Sequence, residues 1–562
     1  MHLWTREPVD HYASPMTSSR RQFLQTLAAT GAAVALAPRS ARAADAHIEV
    51  LLDEPIGTIA PELYGHFAEH LGGVVYDGIW VGEGSKVAND FGIRRALTER
   101  LKRIKAPVVR WPGGCFADSY DWRDGIGPVD KRATRTNFWV NTKVPPSASQ
   151  YDPNHFGTVE FARFCRLSGA QPYIAADIRS LPARDLYQWI EFCNSPAGTT
   201  TLAGVREAEG ERDPFNVVYW GVGNEPWGCG GDFSPEDYAV ELKRYTSWVP
   251  TYDLSLRYIA AGANSGDVDW TRRFFAKLTQ GNPGMARRLW GFSFHHYAWN
   301  VSSGRTTDWN EGKGPAVGFS VEQYYELLRD GDKMDAFINA HWQTMGEFDR
   351  DHHVKLVVDE WGAWHRPGTE ADPSHTLGQT STLRDALLAG LTLDTFQRHA
   401  DKVSMANIAQ LVNCLQSLFV AHEDKFIVTP NYHAFEMYMD HMGGQSLRTE
   451  FSAPRVSYQR NGQPATFWGL AGSASRKDKT VVVTVVNPSA TDARVTDITV
   501  RGAKIASYAL RTLTAPALDS HNSFAAPDAV TLPPDMVPDW TGGQLTLTLP
   551  KASVSRVLLK LA

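Results

Sequence analysis

Five cysteines in 562 residues, none in a C-x-x-C pair, are too few and too scattered for a disulfide-stapled small fold or the usual structural zinc site. They are Cys115, Cys165, Cys193, Cys229 and Cys414, and their odd number leaves at least one thiol unpaired within the chain. A basic excess is also missing. The 56 Lys and Arg against 62 Asp and Glu give a net charge of −6, the wrong sign for tracking phosphates, so nucleic acid is not the expected partner. Past the N-terminus no apolar run is long enough to span a bilayer, so no membrane is expected either. Core-forming residues are plentiful: 43% of the chain is hydrophobic and 11% aromatic, which makes it a globular protein whose partner is uncharged or small.

Near the N-terminus, Ser19-Arg20-Arg21-Gln22-Phe23-Leu24 precedes an apolar stretch from Leu27 to Ala37 and then Ala41-Arg42-Ala43, an A-x-A cleavage pattern. Two adjacent arginines before a weakly hydrophobic, alanine-rich segment resemble a twin-arginine export signal, whose cargo crosses the inner membrane already folded. The uncharged run from Gln22 to Pro38 falls short of the roughly 20 residues of a spanning helix. Residues 1–43 are therefore expected to be a signal peptide, with the mature protein in the periplasm or the medium. Nothing before Met16 adds to the signal, so Met16 is an alternative start.

From about residue 62 to 440, short apolar runs recur between helix-length amphipathic stretches. Tyr64 to Glu69, Val108 to Trp111, Pro172 to Ile178, Val217 to Val222, Tyr258 to Gly262, Trp290 to His296, Leu356 to Glu360 and Met405 to Leu411 make eight candidate strands. Runs apolar on both faces read as a parallel sheet covered by helices, and eight such units make an α/β fold of the (β/α)8 TIM-barrel type. Ser234-Pro235-Glu236-Asp237 carries the start signals of one covering helix: an N-cap, a first-turn proline and acidic residues. After about residue 445 the texture changes to alternating or β-branched strands, such as Thr480 to Val486, Arg494 to Val500 and Ile505 to Leu513. These predict a C-terminal antiparallel β-sandwich, jelly-roll-like, over residues 445–562. The segment 44–60, with a strand at His47 to Leu52, is expected to join that sandwich, leaving 61–444 as the barrel.

In a barrel of this kind, reactive groups belong where strands run out at the carboxyl face. The fourth candidate strand ends Trp220-Gly221-Val222-Gly223-Asn224-Glu225, and the seventh ends Val357-Val358-Asp359-Glu360-Trp361. Each places a carboxylate where apolar packing stops, and the two strands face each other across a barrel mouth. Taken singly, either glutamate reads as a salt bridge or a helix cap. Taken together they read as the carboxyl pair of glycosidic bond cleavage, one group protonating the leaving oxygen and the other meeting the positive anomeric carbon.

Gly223-Asn224-Glu225-Pro226-Trp227-Gly228-Cys229-Gly230-Gly231 and Val358-Asp359-Glu360-Trp361-Gly362 resemble the acid/base and nucleophile motifs of the α-L-arabinofuranosidases of glycoside hydrolase family 51. Leu63-Tyr64-Gly65-His66-Phe67-Ala68-Glu69-His70-Leu71-Gly72 resembles that family's first barrel strand, and Val109-Arg110-Trp111-Pro112-Gly113-Gly114-Cys115-Phe116 its second. His295-His296-Tyr297 and Ala409-Gln410-Leu411-Val412-Asn413 are similar to its sixth and eighth. The resemblance implies that Glu225 is the general acid/base and Glu360 the nucleophile of a retaining mechanism. The two carboxyl groups should then lie about 5–5.5 Å apart. It further implies that Glu69, Asn224 and Gln410 bind furanose hydroxyls, Asn224 the 2-hydroxyl; Arg110 and Tyr297 are placed with this substrate-binding set and are candidate donors to Glu360. Removal of terminal arabinofuranosyl groups from arabinoxylan, arabinan or their oligosaccharides is the implied activity, with endo-glucanase or xylosidase action on the same scaffold as the alternative. No cofactor is implied, and a homo-oligomer is compatible with the resemblance.

One position departs from the family's common pattern: Cys115 stands where many members have a sugar-binding Asn. A thiol is a weaker partner, so Cys115 is a candidate sugar contact set against a buried apolar thiol. His295-His296 and His352-His353 invite a metal reading, but adjacent strand residues point to opposite faces, so each pair offers one ligand per site and metal catalysis is not expected. Among the tryptophans, Trp111, Trp122, Trp139, Trp227, Trp299, Trp361 and Trp364 fall near candidate loop ends, where a ring can stack on a sugar or simply fill core.

Overall fold

A strand buried at every position needs cover on both faces, and Val108–Trp111 and Tyr219–Val222 are such strands. The computed structural model, which describes residues 44–141, 150–299, 313–540 and 542–562, supplies that cover with a closed barrel inside a ring of helices. The export-signal segment, residues 1–43, lies outside the described residues. In chain order the barrel strands are Gly65–Phe67, Val108–Trp111, Gln171–Ala176, Tyr219–Val222, Arg257–Asn264, Leu289–Trp299, Lys355–Trp364 and Val403–Ala409. All neighbours run parallel, and the eighth closes onto the first with Asn407 opposite Gly65 and Ile408 opposite His66. The TIM barrel expected from the eight apolar runs is thus present, each run at its place.

Helices fill the intervals, from Arg95–Arg103 after the first strand to Pro430–Tyr438 after the eighth. Helix Pro235–Tyr245 begins as its sequence dictates: the Ser234 hydroxyl accepts from the Asp237 backbone N–H at 3.1 Å, and Pro235 occupies the first turn. Val108, Tyr173, Tyr219, Ile259, Val357 and Met405, each near the start of its strand, form one buried cluster. That plug closes the amino end of the barrel, so the polar residues further along the strands gather at the carboxyl end.

Eight of the remaining strands form one sheet, and the others pair two by two in short ribbons. The sheet runs Ile505–Leu513, Ser553–Leu561, Thr480–Asn487, Ala471–Lys477, Gln445–Ser452, Ala46–Thr58, Arg494–Arg501, Leu545–Leu549, antiparallel except where Ala46–Thr58 meets Arg494–Arg501. Residues from both ends of this order, including Val557, Leu559, Val483, Ile498 and Leu547, share one core, so the sheet folds over on itself. Both chain ends thereby build the second domain, and strands Ala471–Lys477 and Thr480–Asn487 lean on the barrel helix Leu383–Arg398.

Candidate active site

The polar residues of interest lie from the middle of a barrel strand to just past its carboxyl end. Glu69 follows the first, Arg110 is on the second, Asn224 and Glu225 follow the fourth, His295 and Tyr297 are on the sixth, Asp359 and Glu360 on the seventh, and Gln410 follows the eighth. A carboxylate oxygen of Glu225 and one of Glu360 lie within 4.8 Å of each other and of a His295 ring nitrogen. Gly114 makes room for Glu360: a Cβ there would fall 2.7 Å from its Oε1. Glu225 has a left-handed backbone (φ 38°), uncommon for a side-chain-bearing residue. Its carbonyl accepts from the Gly228 and Gly230 N–H groups at 2.8 and 3.1 Å, and the Asn224 N–H donates to Asp118 Oδ2 at 2.9 Å, which fixes the turn.

Glu360 is held on both oxygens. Arg110 Nη1 donates to Oε1 at 2.7 Å and the Tyr297 hydroxyl to Oε2 at 2.8 Å. Arg110 also donates through Nη2 to Asn224 Oδ1 at 2.6 Å. That bond turns the Asn224 amide nitrogen the other way, toward Cys229 Sγ at 3.7 Å. The Arg110 guanidinium is fully buried; burial works against its charge, but Asp359 and Glu360 more than compensate and strengthen its hold on the proton.

Glu69 and Gln410 are joined twice, the Gln410 amide donating to Glu69 Oε2 at 3.0 Å and accepting from the Glu69 N–H at 3.1 Å. Glu69 Oε1 accepts from the Gly114 and Phe116 N–H groups at 3.1 and 3.0 Å. Burial, with Glu360 nearby, still pushes the Glu69 carboxyl up to about 7. The eight residues singled out from the sequence are therefore brought to one place.

The sequence reading passed over His295 as a site residue. Its Nδ1 lies 2.9 Å from Glu225 Oε1 and 3.5 Å from Glu360 Oε2, and its Nε2 lies 3.0 Å from Asp359 Oδ1. Burial alone would strip its proton; the carboxylates of Glu360, Asp359 and Glu225 outweigh that and raise it to about 10. A protonated ring donates from both nitrogens, which suits its place between the carboxylates of Glu225 and Asp359. Asp359 also accepts from the Tyr173 hydroxyl at 2.8 Å and, despite burial, is held well below the usual carboxylate range by Arg110 and His295. The alternation of side chains along the sixth strand was the available signal. His295 and Tyr297 share the inner face, whereas His296 turns outward to the Asp330 carbonyl at 2.9 Å.

The thiol reading of Cys115 is corrected. Cys115 and Cys229 form a disulfide with Cα atoms 5.4 Å apart, so neither has an S–H to offer a sugar. Their sulfurs instead lie 4.0 and 3.6 Å from Glu225 Oε2 and wall that side of the acid. Cys165, Cys193 and Cys414 are free and buried. Of the tryptophans, Trp111, Trp122 and Trp361 are core, while Trp139, Trp227 and Trp299 are half-buried.

Four carboxyl groups, Glu69, Glu225, Asp359 and Glu360, thus face two buried cations, Arg110 and His295. With every group ionised the acids outnumber the cations, so the cluster favours an extra proton and any positive charge that develops within it.

Comparison with known proteins points the same way. The model of the α-L-arabinofuranosidase 1 domain matches residues 100–311, that of the α-L-arabinofuranosidase C-terminal domain residues 359–553, and that of the twin-arginine translocation pathway signal sequence residues 17–37. An intracellular exo-α-L-arabinofuranosidase of Bacteroides ovatus is 35% identical over 514 residues, 91% of this chain and 94% of that protein. The solved GH51 arabinofuranosidase of Xanthomonas axonopodis pv. citri is 33% identical with a TM-score of 0.82, over 92% of this chain and 100% of its own. The arabinose complex of the Thermotoga maritima α-L-arabinofuranosidase is 30% identical, with a TM-score of 0.74 and the same coverage. A bifunctional glucanase-xylanase, CelM2, at 14% identity and a TM-score of 0.55, shares the fold alone.

Proposed function

The chain belongs to glycoside hydrolase family 51 as an α-L-arabinofuranosidase acting at non-reducing ends, and from that premise we propose that it trims arabinoxylan- and arabinan-type polysaccharides and oligosaccharides by double displacement. The observation that carries the mechanism is the approach of Glu225 and Glu360 oxygens to within 4.8 Å, which suits attack and protonation on one sugar without a water between the two acids.

In this reading the ionised Glu360, aimed by Arg110 and Tyr297, attacks C1 of the arabinofuranosyl group. Glu225 gives its proton to the departing glycosidic oxygen, and a covalent glycosyl-enzyme forms. Glu225, now a base, takes a proton from water as that water attacks C1 and releases Glu360. His295 touches both carboxylates, so the proton delivered and recovered belongs to a coupled cluster rather than to one isolated acid. Glu69, Gln410 and the Asn224 amide are the groups for the furanose hydroxyls, where contacts that tighten as C1 becomes positive lower the barrier. Export is part of the proposal. It rests on the signal match at residues 17–37 and on the Cys115–Cys229 disulfide, which suits an oxidising compartment.

Nitrophenyl α-L-arabinofuranoside, nitrophenyl xyloside and carboxymethylcellulose, compared side by side, test the substrate. Release of the α-anomer first, followed by NMR, is the expected stereochemistry, and the β-anomer first would remove Glu360 as nucleophile. Glu360→Ala is expected to lose about 10⁴-fold or more in kcat on every substrate. Glu225→Ala is expected to form the glycosyl-enzyme readily from an activated aryl glycoside but to fail on polymers. Formation of the glycosyl-enzyme crippled equally on the activated aryl glycoside and on polymers would overturn the acid assignment.

A further inference from the structure

Outside the catalytic cluster, two histidines and an aspartate converge where three loops at the carboxyl end of the barrel meet. Asp77 lies in the loop after the first barrel strand, His375 in the loop after the seventh, and His422 ends the hairpin strand Phe419–His422 that follows the eighth. Asp77 Oδ2 is 3.1 Å from His375 Nε2 and 3.0 Å from His422 Nδ1, and the three atoms all lie within 4.8 Å of one another. Bonds of about 2.0–2.1 Å to a tetrahedral ion place neighbouring donors a little over 3 Å apart, close to these spacings.

The surroundings fit ligation. His422 has a carboxylate oxygen opposite each ring nitrogen, the second being Asp372 Oδ2 at 3.4 Å from Nε2. With an ion on Nδ1, the Nε2–H donates to Asp372, the carboxylate–histidine–metal pairing that fixes a ligand ring. Asp372 is itself oriented, its Oδ1 accepting from the Ser374 N–H at 2.8 Å. Asp77 is treated alike: Oδ1 accepts from the Glu423 N–H at 2.8 Å and Arg94 Nη2 at 3.3 Å, which leaves Oδ2 turned to the two imidazoles. His375 reaches this point because residue 73 is glycine; a Cβ there would fall 2.5 Å from its Nε2.

We propose that Asp77 Oδ2, His375 Nε2 and His422 Nδ1 bind one divalent transition-metal ion, best matched to Zn²⁺, with water in the fourth position. Two imidazoles among three donors select zinc-like ions over calcium or magnesium. The ion fastens three loops that frame the barrel mouth; it touches neither Glu225 nor Glu360, so its work is to hold, not to catalyse.

The test strips the full chain with EDTA, dialyses it against Co²⁺ or Zn²⁺, and reads bound metal by mass spectrometry and Co²⁺ by its visible absorption. One ion per chain is expected, with the unfolding midpoint about 2 °C higher at a hundredfold excess of Zn²⁺ over Kd. Asp77→Asn and His422→Ala should each lose both signals. His422 is 29% exposed at a hairpin end, so its truncation spares the core, and an unchanged rate on nitrophenyl α-L-arabinofuranoside certifies the fold. Failure of the wild-type chain to retain an ion, or equal retention by His422→Ala, overturns the site and leaves a hydrogen-bonded loop clasp.

Discussion

His295 faces carboxylates from two separate strand ends, and its proton is held up to about pH 10, against about 6.5 for a histidine in an unfolded chain. A group whose folded affinity for protons is raised stabilises the fold fully below the unfolded value, and that contribution fades as pH climbs from about 6.5 through about 10. His295→Gln, which carries no charge, should therefore start from a lower unfolding midpoint at pH 7 and lose less of it by pH 10 than the wild type loses. Parallel pH profiles for the two proteins would show that the alkaline loss arises elsewhere. Turnover of His295→Gln should also fall, by about 10²-fold or more, because one change removes the donor that both glutamates share. Glu69 shows the limits of reading roles from residue type. Three hydrogen bonds favour its ionised form, yet burial and the neighbouring Glu360 lift its carboxyl to about 7, a shift invisible in the motif around it.

Strands were the legible elements and loops were not. Val108–Trp111 and Tyr219–Val222 announce themselves because strands buried on both faces must be mostly apolar, and polar residues such as Asn224, just past the fourth strand, and Glu360, in the middle of the seventh, stand out against that background. Glu225 and Glu360 could be found for that reason. The Cys115–Cys229 bridge could not: it joins loops 114 residues apart in sequence, brought together because the second and fourth strands flank the third in the barrel. Asp77, His375 and His422 were hidden by the same long-range closure. The bridge ties the loop carrying Asn224 and Glu225 to the glycine-rich turn beneath Glu360. Replacing both cysteines by serine should cost about 2–4 kcal/mol of stability. It should also lower kcat/KM about tenfold, as the acid loses its fixed wall. Dithiothreitol should produce the same loss in the wild type and none in the double variant; wild-type activity unmoved by complete reduction would show that the bridge does not position Glu225.

The two domains meet through polar groups as well as apolar ones. Helix Leu383–Arg398, which follows the strand bearing Glu360, buries Asp394 against the sheet domain. Asp394 Oδ1 accepts from the Thr484 and Ser473 hydroxyls at 2.6 and 2.7 Å, and Oδ2 from Tyr438 at 2.8 Å. Burial raises its carboxyl to about 6, the three hydroxyls and Arg398 recovering only part of the penalty. Raised from 3.8, the group favours folding while protonated, fully so below about 3.8, and the benefit is lost as pH rises through about 6. Above that, the interface carries an ionised acid at a cost of about 1–3 kcal/mol relative to a neutral group in its place. Asparagine fits the site: its oxygen can take both hydroxyls, and its amide can donate to Tyr438, which is free to donate to the Gly390 carbonyl 3.1 Å away. Asp394→Asn should thus match the wild type near pH 4 and unfold at a higher temperature above pH 7, with unchanged turnover at 25 °C. A variant less stable than the wild type at pH 8 would mean that the charge itself, through Arg398, holds the sheet to the barrel.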